Sequence, residues 1–288
     1  MPDPLRRYLA AQRDLGGDEI LFDVPVTLPA PAAAVPRARV AAATNARPAA
    51  SSPSAAASAP AAVAATIRQR VSPVISDENA LGWRKGAPPI PGPGLIVTSP
   101  ESGGWKTLAE VADVVSSCTQ CPLCTNRTKT VPGEGNPDAR LMLIGEGPGE
   151  TEDLTGRPFV GRAGELLDKI LESIEAPRAT VFIANVVKCR PPRNRAPLPD
   201  ERAACLPYLH RQIALVKPKV LLALGSTAAE AMLGVKKPLG EVRLKVHEWN
   251  GIPLIVTYHP AALLRNPNWK RPAWDDVRIA RQLLDIDD

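Results

Sequence analysis

From residue 105 onward, apolar positions fall into short runs that switch between two periods. Residues 105–117 carry Leu108, Val111, Val114 and Val115 at helical spacing. Residues 140–144 (RLMLI) form an uninterrupted apolar run that stops at Gly145. Residues 164–175 place Leu166, Leu167, Ile170, Leu171 and Ile174 on one helical face. Three more strand-like runs follow at 181–187 (VFIANVV), Val220–Leu224 (VLLAL) and Ile252–Thr257. Between them, Asp200 after Pro199 predicts the N-cap of a helix to about Val216, in which Pro207 implies a kink or a late start. Residues 274–284 predict a final helix. Leu- and Val-rich strands alternating with helices predict an α/β fold of three layers, α/β/α, around a central, mainly parallel four-stranded sheet.

Before residue 105 the texture differs. One short amphipathic stretch lies around 5–15, and then Ala, Pro and Ser dominate from 29 to about 65 with hardly a bulky apolar side chain. Residues 84–104 are again rich in Pro and Gly (PPIPGPG). Such sequence buries too little apolar surface to offset the entropy of ordering its backbone. Residues 1–104 are therefore expected to be a mostly disordered Ala/Pro-rich extension, able to tether a partner that the sequence does not identify. Residues 105–288 are expected to be the folded domain. No run of 18 apolar residues exists, which excludes a spanning helix, and the N-terminal MPDPLRRYLAAQ lacks a signal-peptide core, so a cytoplasmic location is expected. The net charge of +5 permits a polyanionic partner without demanding one.

A parallel sheet brings the carboxyl ends of its strands to one edge, where ligands bind in open α/β folds. Three polar features converge there: the GEGPGE turn after the first strand, Asn185 near the end of the second, and His259 after the fourth. GEGPGE is neither a Walker loop nor GxGxxG, and its crowd of Glu146, Glu150, Glu152 and Asp153 argues against a phosphate cradle. It is either a plain strand-to-helix turn or a rigid one whose N–H groups face a ligand. Asn185 in an apolar strand needs partners for its amide, in a structural network or on a base edge. An amide accepts from N3–H of uracil and donates to O4, whereas cytosine presents the reverse pattern. Lys188, Arg190, Arg193 and Arg195 form a basic run, which reads as a solvated loop or as a seat for a phosphate backbone. Cys118-x2-Cys121-x2-Cys124 with Cys189 and Cys205 offers up to five thiolates. Buried free thiols, a four-thiolate zinc site and an iron–sulfur cluster all fit, and spacing alone does not separate zinc from iron.

Read in order, Cys118-x2-Cys121, VPGEGNPDARLMLIGEGPGETED, TGRPFVGRAGELLD, NVVKCRPPRNRAPLPDE, Cys205 and YHPAALLR resemble the family 4 uracil-DNA glycosylases, the iron–sulfur type of bacteria and archaea. The resemblance spans roughly 110–285. It implies a [4Fe-4S] cluster held by Cys118, Cys121, Cys189 and Cys205, with Cys124 not ordinarily a ligand. It implies a monofunctional, monomeric enzyme that acts on uracil-containing DNA without a redox step, needs no membrane, and leaves an abasic site for base excision repair. By the same resemblance Glu146 and Gly147 contact the base through the turn, Phe159 stacks on uracil, Asn185 reads its edge and His259 faces O2. Glu152 lies near base and sugar, so His259, Glu152 and Glu146 are the catalytic candidates. Residues 261–265 are expected to enter the minor groove, with Leu263 or Leu264 filling the space left by the flipped base and Arg265 on the substrate. Gly147 stands where family 1 enzymes place a catalytic Asp. CRPPRNRAPLPDE replaces the KRRIH-like insertion of a related covalent uracil-trapping group, which excludes that chemistry. A non-catalytic iron–sulfur carrier or DNA-binding module would need the thiolates but not Asn185, Phe159 and His259 at one sheet edge.

Overall fold

The computed structural model describes residues 83–99 and 103–286. Its strands are β1 (Pro93–Val97), β2 (Glu134–Gly135), β3 (Leu141–Gly145), β4 (Phe182–Asn185), β5 (Val220–Leu224), β6 (Val246–Trp249) and β7 (Ile252–Thr257), joined in one sheet of order β1-β6-β7-β5-β3-β4-β2. The four apolar runs supply its parallel centre, β7-β5-β3-β4. Helices α1 (Leu108–Ser116), α2 (Glu150–Thr155), α3 (Arg162–Ser173), α4 (Pro199–Val216), α5 (Ser226–Leu233), α6 (Leu239–Val242), α7 (Pro260–Arg265) and α8 (Lys270–Asp285) surround it.

Alternation along the strands explains the layers. Met142, Ile144, Leu221 and Ala223 point to a core shared with Val111 and Val115 of α1, Leu209 and Ile213 of α4 and Met232 of α5. Leu141, Leu143, Leu222 and Leu224 point the other way, to a core shared with Leu167 and Leu171 of α3 and Val277, Ala280 and Leu283 of α8. Both faces are thus dry, as uninterrupted apolar runs require.

The sheet has seven strands where four were expected. Those added lie outside the parallel centre: β1 and β6 beyond β7, with β6 antiparallel to β7, and the two-residue β2 antiparallel to β4. β1 begins at Pro93, a proline tolerated at the first residue of an edge strand. It lies within the stretch expected to be extension, and Trp83, 2% exposed, is buried against the α3/α8 core. The fold therefore reaches back to Trp83 rather than starting at 105. The rest of the expected extension, with the stretch around 5–15, lies outside the described residues. Helix α4 starts two residues earlier than expected, at Pro199, and runs past Pro207; its N-cap is Leu198 rather than Asp200, and the Leu198 N–H donates to the Glu201 carboxylate at 2.7 Å. Among the described residues no helix is long and apolar enough to cross a membrane.

Candidate active site and cysteine cavity

The carboxyl ends of β3, β4, β5 and β7 open onto a cavity of about 420 Å³. Its walls come from the 146–149 turn, the loop over 191–196, the start of α5 and the segment 258–265. Gly145 makes the floor possible. A Cβ there would lie 2.3 Å from Asn185 Oδ1 and 2.6 Å from Phe159 Cζ, so glycine alone lets those two side chains converge. Asn185 is 1% exposed and its Oδ1 has no hydrogen-bond partner in the protein. An orphaned buried acceptor at a cavity floor is the mark of a site built for a donor.

Phe159 stands in the left-handed region at φ 50°, a conformation that costs a side-chain-bearing residue about 1–3 kcal/mol and must be held by its surroundings. Three neighbours hold it. Glu152 Oε1 accepts from the Val160 and Gly161 amides, both at 2.9 Å. Arg178 donates to the Phe159 and Pro158 carbonyls at 3.0 and 2.5 Å. At Gly164 a Cβ would collide with the Phe159 oxygen at 1.9 Å. Arg178 was not among the expected residues, because nothing in its sequence context announces a partner in a backbone carbonyl.

Glu152 borders the cavity, yet its carboxylate is anchored: Oε2 also accepts from the Gly149 amide at 3.1 Å. Glu146 accepts from Thr227 Oγ1 at 2.5 Å, across from the start of α5. Gly147 lines the same wall, where a Cβ would press on Val187 Cγ2 at 2.7 Å.

His259 lies two residues beyond β7 and caps α7, its Nδ1 accepting from the Ala261 amide at 3.1 Å. The neutral ring therefore carries its proton on Nε2. Burial, then the positive charge of Arg265, push its pKa down to about 4 against the opposing pull of Glu152. Arg265 lines the cavity beside it. Leu263 does not: it is 1% exposed and packed inward, while Leu264 at 38% faces out. About 100° of helical rotation separates these adjacent leucines, and Leu264 is the one with an exposed side chain.

Of the basic run only Lys188 is buried, while Arg190 and Arg195 are half-buried and partnered. Arg195 pairs with the buried Glu201 carboxylate at 2.6 Å, and Arg190 donates to Asn194 Oδ1 at 2.7 Å. Lys188 is buried, and desolvation pulls its pKa down to about 8 in spite of Cys205. Arg193 is exposed.

On the α4 side of the sheet, all five cysteines line a second, smaller cavity. Three sulfurs accept hydrogen bonds: Cys118 from Tyr208 Oη at 3.3 Å, Cys189 from Arg127 Nη1 at 3.2 Å, and Cys205 from the Lys188 amide at 3.3 Å. Burial pushes the Cys205 thiol up to about 12 and raises Cys189 and Cys121 as well. No group of three or more Cys, His, Asp or Glu among the described residues is arranged to hold a single metal ion.

Comparison with known proteins adds relatives to this geometry. A family model described as the uracil DNA glycosylase superfamily matches residues 132–278. A type-4 uracil-DNA glycosylase of Thermotoga maritima is 47% identical over 178 residues, covering 60% of this chain and 93% of the relative. Type-4 uracil-DNA glycosylases of Sulfurisphaera tokodaii and Saccharolobus solfataricus are each 44% identical, covering 62% and 60% of this chain and 84% and 85% of their own lengths.

Proposed function

Because the chain belongs to the uracil-DNA glycosylase superfamily, among its type-4 members, we propose that it flips uracil out of DNA and hydrolyses the N-glycosidic bond, leaving an abasic site for base excision repair. The observation that carries this reading is the buried, unpartnered Asn185 Oδ1 beside the Phe159 ring.

A uracil inside the duplex is out of reach, and extruding it costs a few kcal/mol. Leu264, exposed on α7 next to Arg265, fits the role of the side chain that fills the vacated space. Once flipped, uracil stacks on Phe159, gives its N3–H to Asn185 Oδ1 and accepts at O4 from Asn185 Nδ2. Cytosine offers an acceptor at N3 and a donor at the 4-position, so both contacts turn repulsive.

Bond cleavage sends the electron pair of the C1′–N1 bond to uracil and leaves positive charge on the deoxyribose. The neutral His259, with Nε2–H as its free donor, and the amides of the 146–149 turn stabilise the uracil anion at O2. Preorganised donors of this kind act most strongly where water is excluded. Water then bonds to C1′ and gives up a proton that ends on the uracil anion, so the products are neutral uracil and the abasic sugar. Glu146, held by Thr227, is assigned to order that water; Glu152 keeps the Phe159 loop in place and sets negative charge beside the sugar.

The cysteine cavity is read as the seat of a [4Fe-4S] cluster on Cys118, Cys121, Cys189 and Cys205. The all-sulfur donor set and the three hydrogen bonds onto sulfur support a thiolate-bound group. Cys118 and Cys121 follow α1, Cys189 follows β4 and Cys205 lies on α4, so a cluster held by these four would tie those segments together, a structural task outside the hydrolysis.

The decisive assay uses a labelled oligonucleotide with one uracil, followed by alkali to break abasic sites. Cleavage at uracil and not at thymine or cytosine is expected. An intact strand after alkali refutes the proposal.

A further inference from the structure

The hydrolysis derived above gives no task to Lys188, although it is 1% exposed and among the largest fully buried side chains. Burying an amine is costly unless its hydrogen bonds are made, and an apolar residue of similar volume would fill the space without that cost. The contacts of Nζ are specific. It donates to the Asn185 carbonyl at 2.9 Å and to Gln212 Oε1 on α4 at 2.6 Å. Gln212 is fixed in turn, its Nε2 donating to the Pro132 carbonyl at 2.7 Å. The backbone of Lys188 is pinned too, its amide on Cys205 Sγ at 3.3 Å and its carbonyl accepting from Val131 at 2.8 Å. One side chain thus connects the peptide of the base reader to the helix that carries a cysteine of the second cavity.

We propose that Lys188 is the positioning residue of Asn185: by tying the Asn185 carbonyl to α4 it fixes the peptide from which the base-reading amide projects. The inference rests on the uracil reading above, and its test separates the two.

Full-length wild type, Lys188→Met and Gln212→Met are compared by single-turnover cleavage of uracil-DNA, by iron content and by thermal midpoint. Binding is measured by anisotropy on duplexes carrying either a nonhydrolysable uracil nucleotide or an abasic analogue. Lys188→Met should lose about 10- to 100-fold in cleavage rate, the scale of a misplacement near 1 Å. It should also lose its preference for the uracil analogue over the abasic one, with iron and midpoint retained. Gln212→Met should show a smaller loss in the same direction, and it decides the matter if Lys188→Met does not fold. Wild-type rate and preference in a folded Lys188→Met overturn the inference alone. So does a rate that falls only in step with iron and midpoint, since Lys188 would then serve the fold. An inactive wild type sinks the functional reading, and the inference with it.

Discussion

The Phe159 and His259 rings meet with their centroids 5.4 Å apart and 31° from parallel. One ring comes from the loop before α3 and the other from just beyond β7, so the cavity wall is assembled from segments that only the sheet brings together. The Phe159 half depends on a left-handed peptide, which makes the site sensitive to residues that never touch it.

Gly164 is the sharpest case. Its side of α3 packs against the Phe159 carbonyl, where a methyl group would sit 1.9 Å from oxygen. Gly164→Ala should therefore displace the ring, destabilise by about 1–3 kcal/mol as overpacking does, and lower the cleavage rate nearly as far as Phe159→Ala. Rate and thermal midpoint measured on both variants check this. A fully active Gly164→Ala would mean that the loop moves without consequence.

Asn185→Asp tests the base-reading amide. Uracil cleavage should fall by about 100-fold or more, because a site built around one hydrogen-bond pattern rejects its mismatch strongly. Activity on cytosine should appear, and only toward acid pH, where a protonated carboxyl donates to N3 while its carbonyl accepts from the 4-amine. An undiminished rate on uracil would leave Asn185 a structural residue.

The parallel centre was legible because β3, β4, β5 and β7 are buried on both faces and read as unbroken apolar runs. β1 was hidden in Pro- and Gly-rich sequence, and β2 is too short to leave a pattern. Asn185 and His259 stood out as polar residues at strand ends. Arg178 and Lys188 did not: Arg178 divides its guanidinium between the Phe159 and Pro158 carbonyls and the carboxylates of Glu134 and Asp168, and Lys188 reaches a carbonyl and a distant glutamine. A buried lysine and a solvated one look alike in a basic run. Leu263 and Leu264 could be told apart only by the phase of α7.

The thiols allow a compositional test. Protein purified without oxygen should be brown and hold about four iron and four sulfide per chain. Cys118→Ala and Cys189→Ala should lose iron and solubility; Cys124→Ala should keep both. Stoichiometric zinc without iron would sink the cluster reading, and iron loss in Cys124→Ala would move that residue into the ligand set.

His259 gives a pH signature. Its folded pKa of about 4 lies below the ordinary imidazole value of 6.5. Between those values the unfolded chain binds a proton that the folded one refuses, so stability is full above pH 6.5 and drains away as pH falls toward 4. The thermal midpoint of wild type should drop over that window, and that of His259→Ala should drop less. Equal slopes would remove His259 from the account. The cleavage rate should hold from pH 8 to about 5, with no step near 6.5.

His259→Ala separates catalysis from packing. If Nε2–H bonds to O2, that contact strengthens as charge builds on the departing uracil, so its loss should appear in the single-turnover rate and hardly in affinity for a nonhydrolysable uracil-DNA analogue. The expected cost is about 100-fold or more, the range for one preorganised donor. The competing role is visible too, since the ring caps α7 through the Ala261 amide and so supports the Leu264 loop. Were that its whole contribution, the variant would flip bases poorly, and a single-stranded substrate, which needs no flipping, would restore turnover. Both substrates are therefore measured with the same variant. A defect of equal size on single- and double-stranded DNA, with analogue binding intact, assigns His259 to the leaving group; recovery on single strands assigns it to the loop.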